Sequence, residues 1–171
     1  RWMADVAHAG CGAFGDLGTH ALDLLLWFFP EQRVTACTAT LGTALRKYGE
    51  IDEYGEGQLR FASGMVATLA AGWVDHADPH KLEISGTEGH VRVTDGKLTI
   101  TGADESGRAQ VEALDDLPAA WPHAFDLFLD AVVDPENGDI PLVTPAEAVA
   151  RNRVMDALYR GAEGGEWVTP G

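Results

Sequence analysis

The sequence predicts an α+β fold: an open, mostly antiparallel β-sheet with helices packed on one face. Three observations predict it. A helical apolar period runs to Phe29, period-two segments joined by short glycine turns fill residues 33–114, and a helical period returns over 121–160. Consecutive strands joined by tight turns pair antiparallel, and helices at both ends of such a series cover one face of the sheet. With 171 residues, 46% of them hydrophobic, the chain is long enough to bury a core as a single domain, residues 1–171.

In chain order, residues 1–9 carry no clear period and read as an irregular segment containing Trp2. Gly10, Gly12 and Gly15 then follow in G-x-G-x-x-G spacing ahead of a helix, half of a dinucleotide-binding fingerprint. No apolar strand precedes Gly10 and no strand ending in an acidic residue follows at the usual distance, so the glycines read as a tight turn bringing backbone close to a neighbour. The helix over 10–29 places Asp16, His20, Asp23 and Trp27 on one stripe roughly 60° wide at about 100° per residue. The remaining positions are almost all apolar, which predicts a helix buried nearly all round. Its polar stripe must therefore face a group or cavity that satisfies it.

Asp16 and His20, one turn apart, make a workable general-base pair: a carboxylate fixes the imidazole tautomer and the imidazole takes a proton near neutral pH. The structural alternative makes Asp16 a helix-start cap, His20 a hydrogen-bonded core residue and Asp23 the partner of a distant arginine. Three such residues on one stripe favour a functional site.

Pro30 ends the helix. Residues 33–41 (RVTACTATL) read as a strand, and 46–57, polar and glycine-bearing, as a loop with Tyr48 and Tyr54. Residues 58–61 and 65–74 form strands about Ala62-Ser63-Gly64, and 81–85 and 90–94 flank Gly86-Thr87-Glu88-Gly89. Asp95-Gly96 makes a two-residue turn into 97–101, and 109–114 closes the series. A helix over 121–133, with Pro122 in its first turn, carries Phe125, Phe128, Leu129 and Val132 as a core-facing stripe. After a loop at 134–140, Thr144-Pro145-Ala146-Glu147 is a capping box opening a helix to about Arg160, ended by Gly161, with Ala150, Val154, Ala157 and Leu158 inward. Residues 166–169 add an edge strand. On the outer sheet face Leu59, Phe61, Leu69 and Trp73 alternate with smaller residues, and if both sheet faces are apolar the chain should form a homodimer.

The net charge of -15 argues against nucleic acid and anionic membranes as partners. The longest apolar run, 24–29, is too short to span a bilayer. Cys11 and Cys37 lack C-x-x-C spacing, which suits a reduced intracellular protein. The opening RWMADV has no initiator methionine and reads as a fragment. His76 and His80, with Asp75, Asp78 and Glu83, carry side chains that suit zinc, manganese or iron. Pro79 denies the two histidines a common helix face, so they read as loop residues at the mouth of a pocket beyond Trp73. Trp27 and Trp121 read as core, His8, His90 and His123 as surface or structural, and Cys11 as no nucleophile without a positioned histidine.

Together GCGAFGDLGTHALDLLLW, EISGTEGHVRV and PLVTPAEAVARNRVMDALYRGAEGGEWVTP resemble, in order and over nearly the whole chain, the C-terminal domain of the Gfo/Idh/MocA family of NAD(P)-dependent oxidoreductases. The resemblance implies a sheet used for dimerisation and a pocket for sugars, inositols or related polyols. It implies, too, a preceding Rossmann domain that these residues do not contain. Asp16 and His20 match the family's D-x-x-x-H motif, which makes His20 the catalytic acid/base and Asp16 its orienter or a ligand of a substrate hydroxyl. Asp23 matches a further acidic position that contacts substrate, and Thr19, just before the histidine, is a pocket neighbour; His76, at the pocket mouth, completes the expected substrate-binding set. NAD or NADP would be bound mainly by the absent domain of the parent protein, with none expected here and no turnover by the fragment alone. The implied protein is a cytoplasmic homodimer acting on a small polyol. Two other readings stay open: a non-catalytic ligand-binding or dimerisation module, and a metal-dependent hydrolase or isomerase.

Overall fold

The computed structural model describes residues 2, 5–138 and 140–171; of the opening segment and the 134–140 loop, residues 1, 3, 4 and 139 lie outside the described residues. The chain divides into two compact units, residues 1–75 with 143–171, and residues 76–142. Helices α1 (Val6–Ala9), α2 (Ala13–Phe28) and α4 (Pro145–Gly164) and strands β1 (Val34–Gly42), β2 (Tyr54–Phe61) and β3 (Val66–Gly72) belong to the first. Strands β4 (Lys81–Ser85), β5 (His90–Thr94), β6 (Lys97–Ala103) and β7 (Ala109–Leu114) and helix α3 (Ala124–Val133) belong to the second. Both units carry open antiparallel sheets, and the fold is α+β.

In the first unit the strands lie in the order β1-β2-β3. Cys37 opposes Leu59, and Gly57 opposes Leu69. These positions share the face covered by α2 and α4, whose Phe14, Leu22, Val154, Ala157 and Leu158 complete the core. Each fully buried large apolar side chain contributes about 1.5–3 kcal/mol. The other face carries Thr38, Gln58 and Thr68 in one row and Thr40, Glu56 and Ala70 in the next. Leu59, Phe61 and Leu69 thus line the inner face, correcting their assignment to the outer one, and Trp73 lies past the end of β3.

Strand β2 begins at Tyr54, inside the stretch expected to be a loop. Gly55 and Gly57 hid it, because glycine weakens the strand signal. They occupy the buried face, where a Cβ on Gly55 would lie 2.7 Å from the Phe14 ring and one on Gly57 3.0 Å from it. The ring of Phe14 takes the place of their side chains.

Helix α2 is buried on one side only, through Phe14, Gly15, Gly18 and Leu22. Its opposite side leaves Leu17, Leu24 and Phe28 exposed, with Trp27 at 66% and tilted against Phe28. The expected all-round burial is not seen, since α4 and the sheet both approach from the Phe14 side. The Thr144–Glu147 capping box opens α4 as its spacing requires. The helix runs past Gly161 to Gly164 and ends on Gly165, at φ 63. Gly161 is a packing residue, and Ala150 is exposed. Val168 pairs with Cys37 as a single bridge.

The second unit is a four-stranded meander; β4, β5 and β7 keep the bounds expected from the sequence, and β6 runs two residues past them to Ala103. Asp95 and Gly96 both adopt positive φ, as the two-residue turn between β5 and β6 demands. Segment 73–80 separates this ladder from that of β3, and Pro79 there has no N–H to donate to a sheet. His123 caps α3 by accepting the Phe125 N–H at 3.2 Å, which leaves Pro122 ahead of the helix. The Phe125, Phe128, Leu129 and Val132 stripe forms but stays exposed, Phe125 at 73%, and Trp121 is exposed as well. Periodicity recognised the stripe; its cover is not among the described residues.

Candidate functional site

A helix begins with N–H groups that have no partner within it, and the N-cap of α2, Gly12, has no side chain to offer them. Asp52 takes that place. Its carboxylate accepts from Gly12 and Phe14, each at 2.9 Å, and its carbonyl from Ala13 at 2.9 Å. The Tyr159 hydroxyl accepts from Gly15 at 2.9 Å and donates to Asp52 at 3.1 Å. Burial and the neighbouring Asp52 charge push that phenol well above its ordinary range. A Cβ on Gly12 would lie 2.2 Å from the Asp52 carbonyl, so the close approach requires glycine. The N–H groups of Gly12, Ala13, Phe14 and Gly15 are therefore spent inside the protein. The G-x-G-x-x-G spacing serves helix packing.

The next residue does equivalent work on the opposite side. Glu53 is fully buried, and its carboxylate accepts from the backbone N–H groups of Ala44, Leu45, Arg46 and Lys47. Burial alone would raise its pKa; the four donors outweigh it and hold the carboxyl below the usual range. The loop so held presents Tyr48 edge-on to Trp73, ring centroids 5.3 Å apart. The Trp73 N–H donates to the Glu53 carbonyl at 2.9 Å. Its indole Nε1 donates to Asp16 Oδ2 at 3.0 Å.

Asp16, Thr19 and His20 of α2 line a cavity of about 260 Å³ together with Cys11 and Trp73. Asp16 is half-buried and His20 exposed. Among the described residues the His20 ring has no hydrogen-bond partner, and Asp16 binds Trp73 in place of the imidazole that the sequence had suggested. Thr19 Oγ1 accepts from Arg151 of α4, and the Arg151 Nε stands 3.6 Å from Asp23. Asp23 thus faces an arginine outside the cavity lining. Among the described residues, no lysine or arginine lines this cavity. Burial, then Asp52 and Asp16, raise the Cys11 thiol, while burial takes Cys37 to about 11. Neither is an activated thiolate.

His76 is an exposed residue of the second unit, as is His80, which lies 3.2 Å from Asp78. Among the described residues no three His, Cys, Asp or Glu side chains group as a metal site requires. His8 binds Asp5 and His90 binds Ser85, both at the surface. Sequence reasoning missed Asp52, Glu53, Arg151 and Tyr159, and it placed Trp73 beside a pocket without its bond to Asp16. The adjacent acids flanked by Ile51 and Tyr54 were the available signal, but a pair of acids in a polar stretch ordinarily reads as a solvated turn.

The model of the GFO/IDH/MocA C-terminal domain matches residues 1–92. No curated protein matches by sequence. Among solved structures, an NAD-binding oxidoreductase from Klebsiella pneumoniae is 20% identical with a TM-score of 0.78, covering 100% of this chain and 54% of that one. A levoglucosan dehydrogenase in complex with NADH and levoglucosan is 24% identical with a TM-score of 0.78, covering 99% and 53%. An aldose-aldose oxidoreductase from Caulobacter crescentus, complexed with glycerol, is 22% identical with a TM-score of 0.75, covering 99% and 50%. At these identities the likeness is one of fold. The chain spans about half the length of the structures it matches.

Proposed function

Since the chain belongs to the GFO/IDH/MocA C-terminal domain family, we propose that it is the substrate-binding domain of an oxidoreductase that moves hydride between a nicotinamide cofactor and a sugar, inositol or related polyol. The observation that carries this reading is Asp16 and His20, one helical turn apart on one cavity wall, with an imidazole that has no hydrogen-bond partner among the described residues beside a held carboxylate. His20 takes the proton of the reacting hydroxyl, and Asp16 accepts a hydrogen bond from a hydroxyl through the oxygen that Trp73 leaves free. Thr19, held by Arg151, shapes the wall beside them.

The nicotinamide supplies the hydride acceptor. Its pyrophosphate does not fit the helix start at the glycine turn, where Asp52 and Tyr159 already occupy the N–H groups of residues 12–15. We assign dinucleotide binding, by NAD or NADP, to a part of the parent protein outside these residues, and with it the completion of the active site. A neutral polyol suits the cavity better than a phosphorylated one: Asp16 is an acid, and the neighbouring Arg151 is engaged by Asp23 and Thr19. The reading also carries a role in homodimer assembly.

In the full-length protein, His20→Ala should lower kcat by roughly 100-fold or more, the usual weight of a positioned acid–base group, while the Kd for NADH is unchanged. Undiminished turnover would sink the assignment. Binding of a polyol with no turnover by the intact wild-type protein would favour the ligand-binding module instead.

A further inference from the structure

We propose that Trp73 is a positioning residue of this active site: its indole N–H fixes one oxygen of Asp16, so that the other is presented to the substrate hydroxyl. The inference rests on the acid–base reading of Asp16 and His20. Three contacts converge on Trp73 from separate parts of the chain. Its Nε1 reaches Asp16 Oδ2 at 3.0 Å across the cavity wall. Its backbone N–H is held by the Glu53 carbonyl at 2.9 Å. Its ring meets the edge of Tyr48, on the loop whose N–H groups the buried Glu53 carboxylate gathers.

A first-turn aspartate on a helix has a free χ1 and χ2 unless something holds it. No helix N–H is left to do so, since Asp52 and Tyr159 take those groups. Trp73 has only one side-chain donor and no acceptor, so it holds the carboxylate without competing for the proton that His20 moves. The Glu53 buttress limits the tryptophan's own freedom, as a support behind a reacting group must.

The test is Trp73→Phe in the full-length protein, with NAD(P)+ and a polyol that it oxidises. Loss of one hydrogen bond to a charged group should lower kcat roughly 10- to 100-fold, with KM changed little. The same substitution in an Asp16→Ala background should cost nothing further, because the two residues act as one unit. Tyr48→Ala, which leaves the indole donor in place but removes its edge contact, should lower kcat in the same direction by less. A rise in KM at constant kcat would make the ring a substrate contact and overturn the proposal, as would additive losses in the double variant. Full turnover by Asp16→Ala would overturn the acid–base reading itself; full turnover by Trp73→Phe beside a crippled Asp16→Ala would overturn only the role of Trp73.

Discussion

A carboxylate taken out of water needs donors in proportion, and Glu53 finds four in one loop. Its folded pKa lies below that of the unfolded chain, 4.5 for a free glutamate. The sign follows: the unfolded state binds the proton more readily, so the stabilisation is whole above about pH 4.5 and is lost as pH falls toward the lower folded value. Glu53→Gln should therefore lower the melting temperature at pH 7, and thermal scans should show the gap to wild type narrowing below pH 4.5. A gap independent of pH would show that Glu53 acts by shape alone. At this scale Asp16 and His20 were legible because i, i+4 spacing needs only the helical period. Asp52, Glu53 and Trp73 act on partners across turns and strands. Such contacts leave no periodic trace, and the imidazole–carboxylate pairing inferred from the sequence gave way to an indole 57 residues distant.

Elements were legible where side chains announced them. Strands β4 and β5 alternate without interruption, and their limits agree with the reading; β2 was half concealed because its inward positions at 55 and 57 are glycines beneath Phe14. Gly161 misled in a similar way, reading as a helix stop when it lets α4 lie against β1. A Cβ there would come 2.9 Å from the Glu166 carbonyl oxygen and 3.0 Å from Thr38 Cα. Ala is the better helix former by about 1 kcal/mol, whereas overpacking against backbone costs about 1–3 kcal/mol. Gly161→Ala should thus be neutral to destabilising by up to about 2 kcal/mol in urea unfolding; a clear gain in stability would mean that the helix and strand separate freely at this point.

On the scale of the molecule, the α+β class was readable from the alternation of periods, while the division into two units was not, because the polar, proline-bearing residues 75–80 read equally well as a loop within one sheet. The apolar side of α2 and the stripe of α3 belong to the same lesson: a hydrophobic pattern reports that a face wants covering, and leaves the cover unspecified. For the cofactor the expectation is direct. The 171-residue chain alone should give no saturable NADH fluorescence change up to millimolar concentrations, and tight binding would restore the glycine turn as a phosphate site. The adjacent acids Asp52 and Glu53 also set a rhythm for the fold. The amides of Gly12 and Phe14 and those of residues 44–47 lie far apart in sequence, yet all rest on this one dipeptide. A local opening at this dipeptide should therefore release both sets to solvent together, and amide exchange of Gly12, Phe14 and residues 44–47 should rise in parallel in an Asp52→Ala, Glu53→Ala double variant.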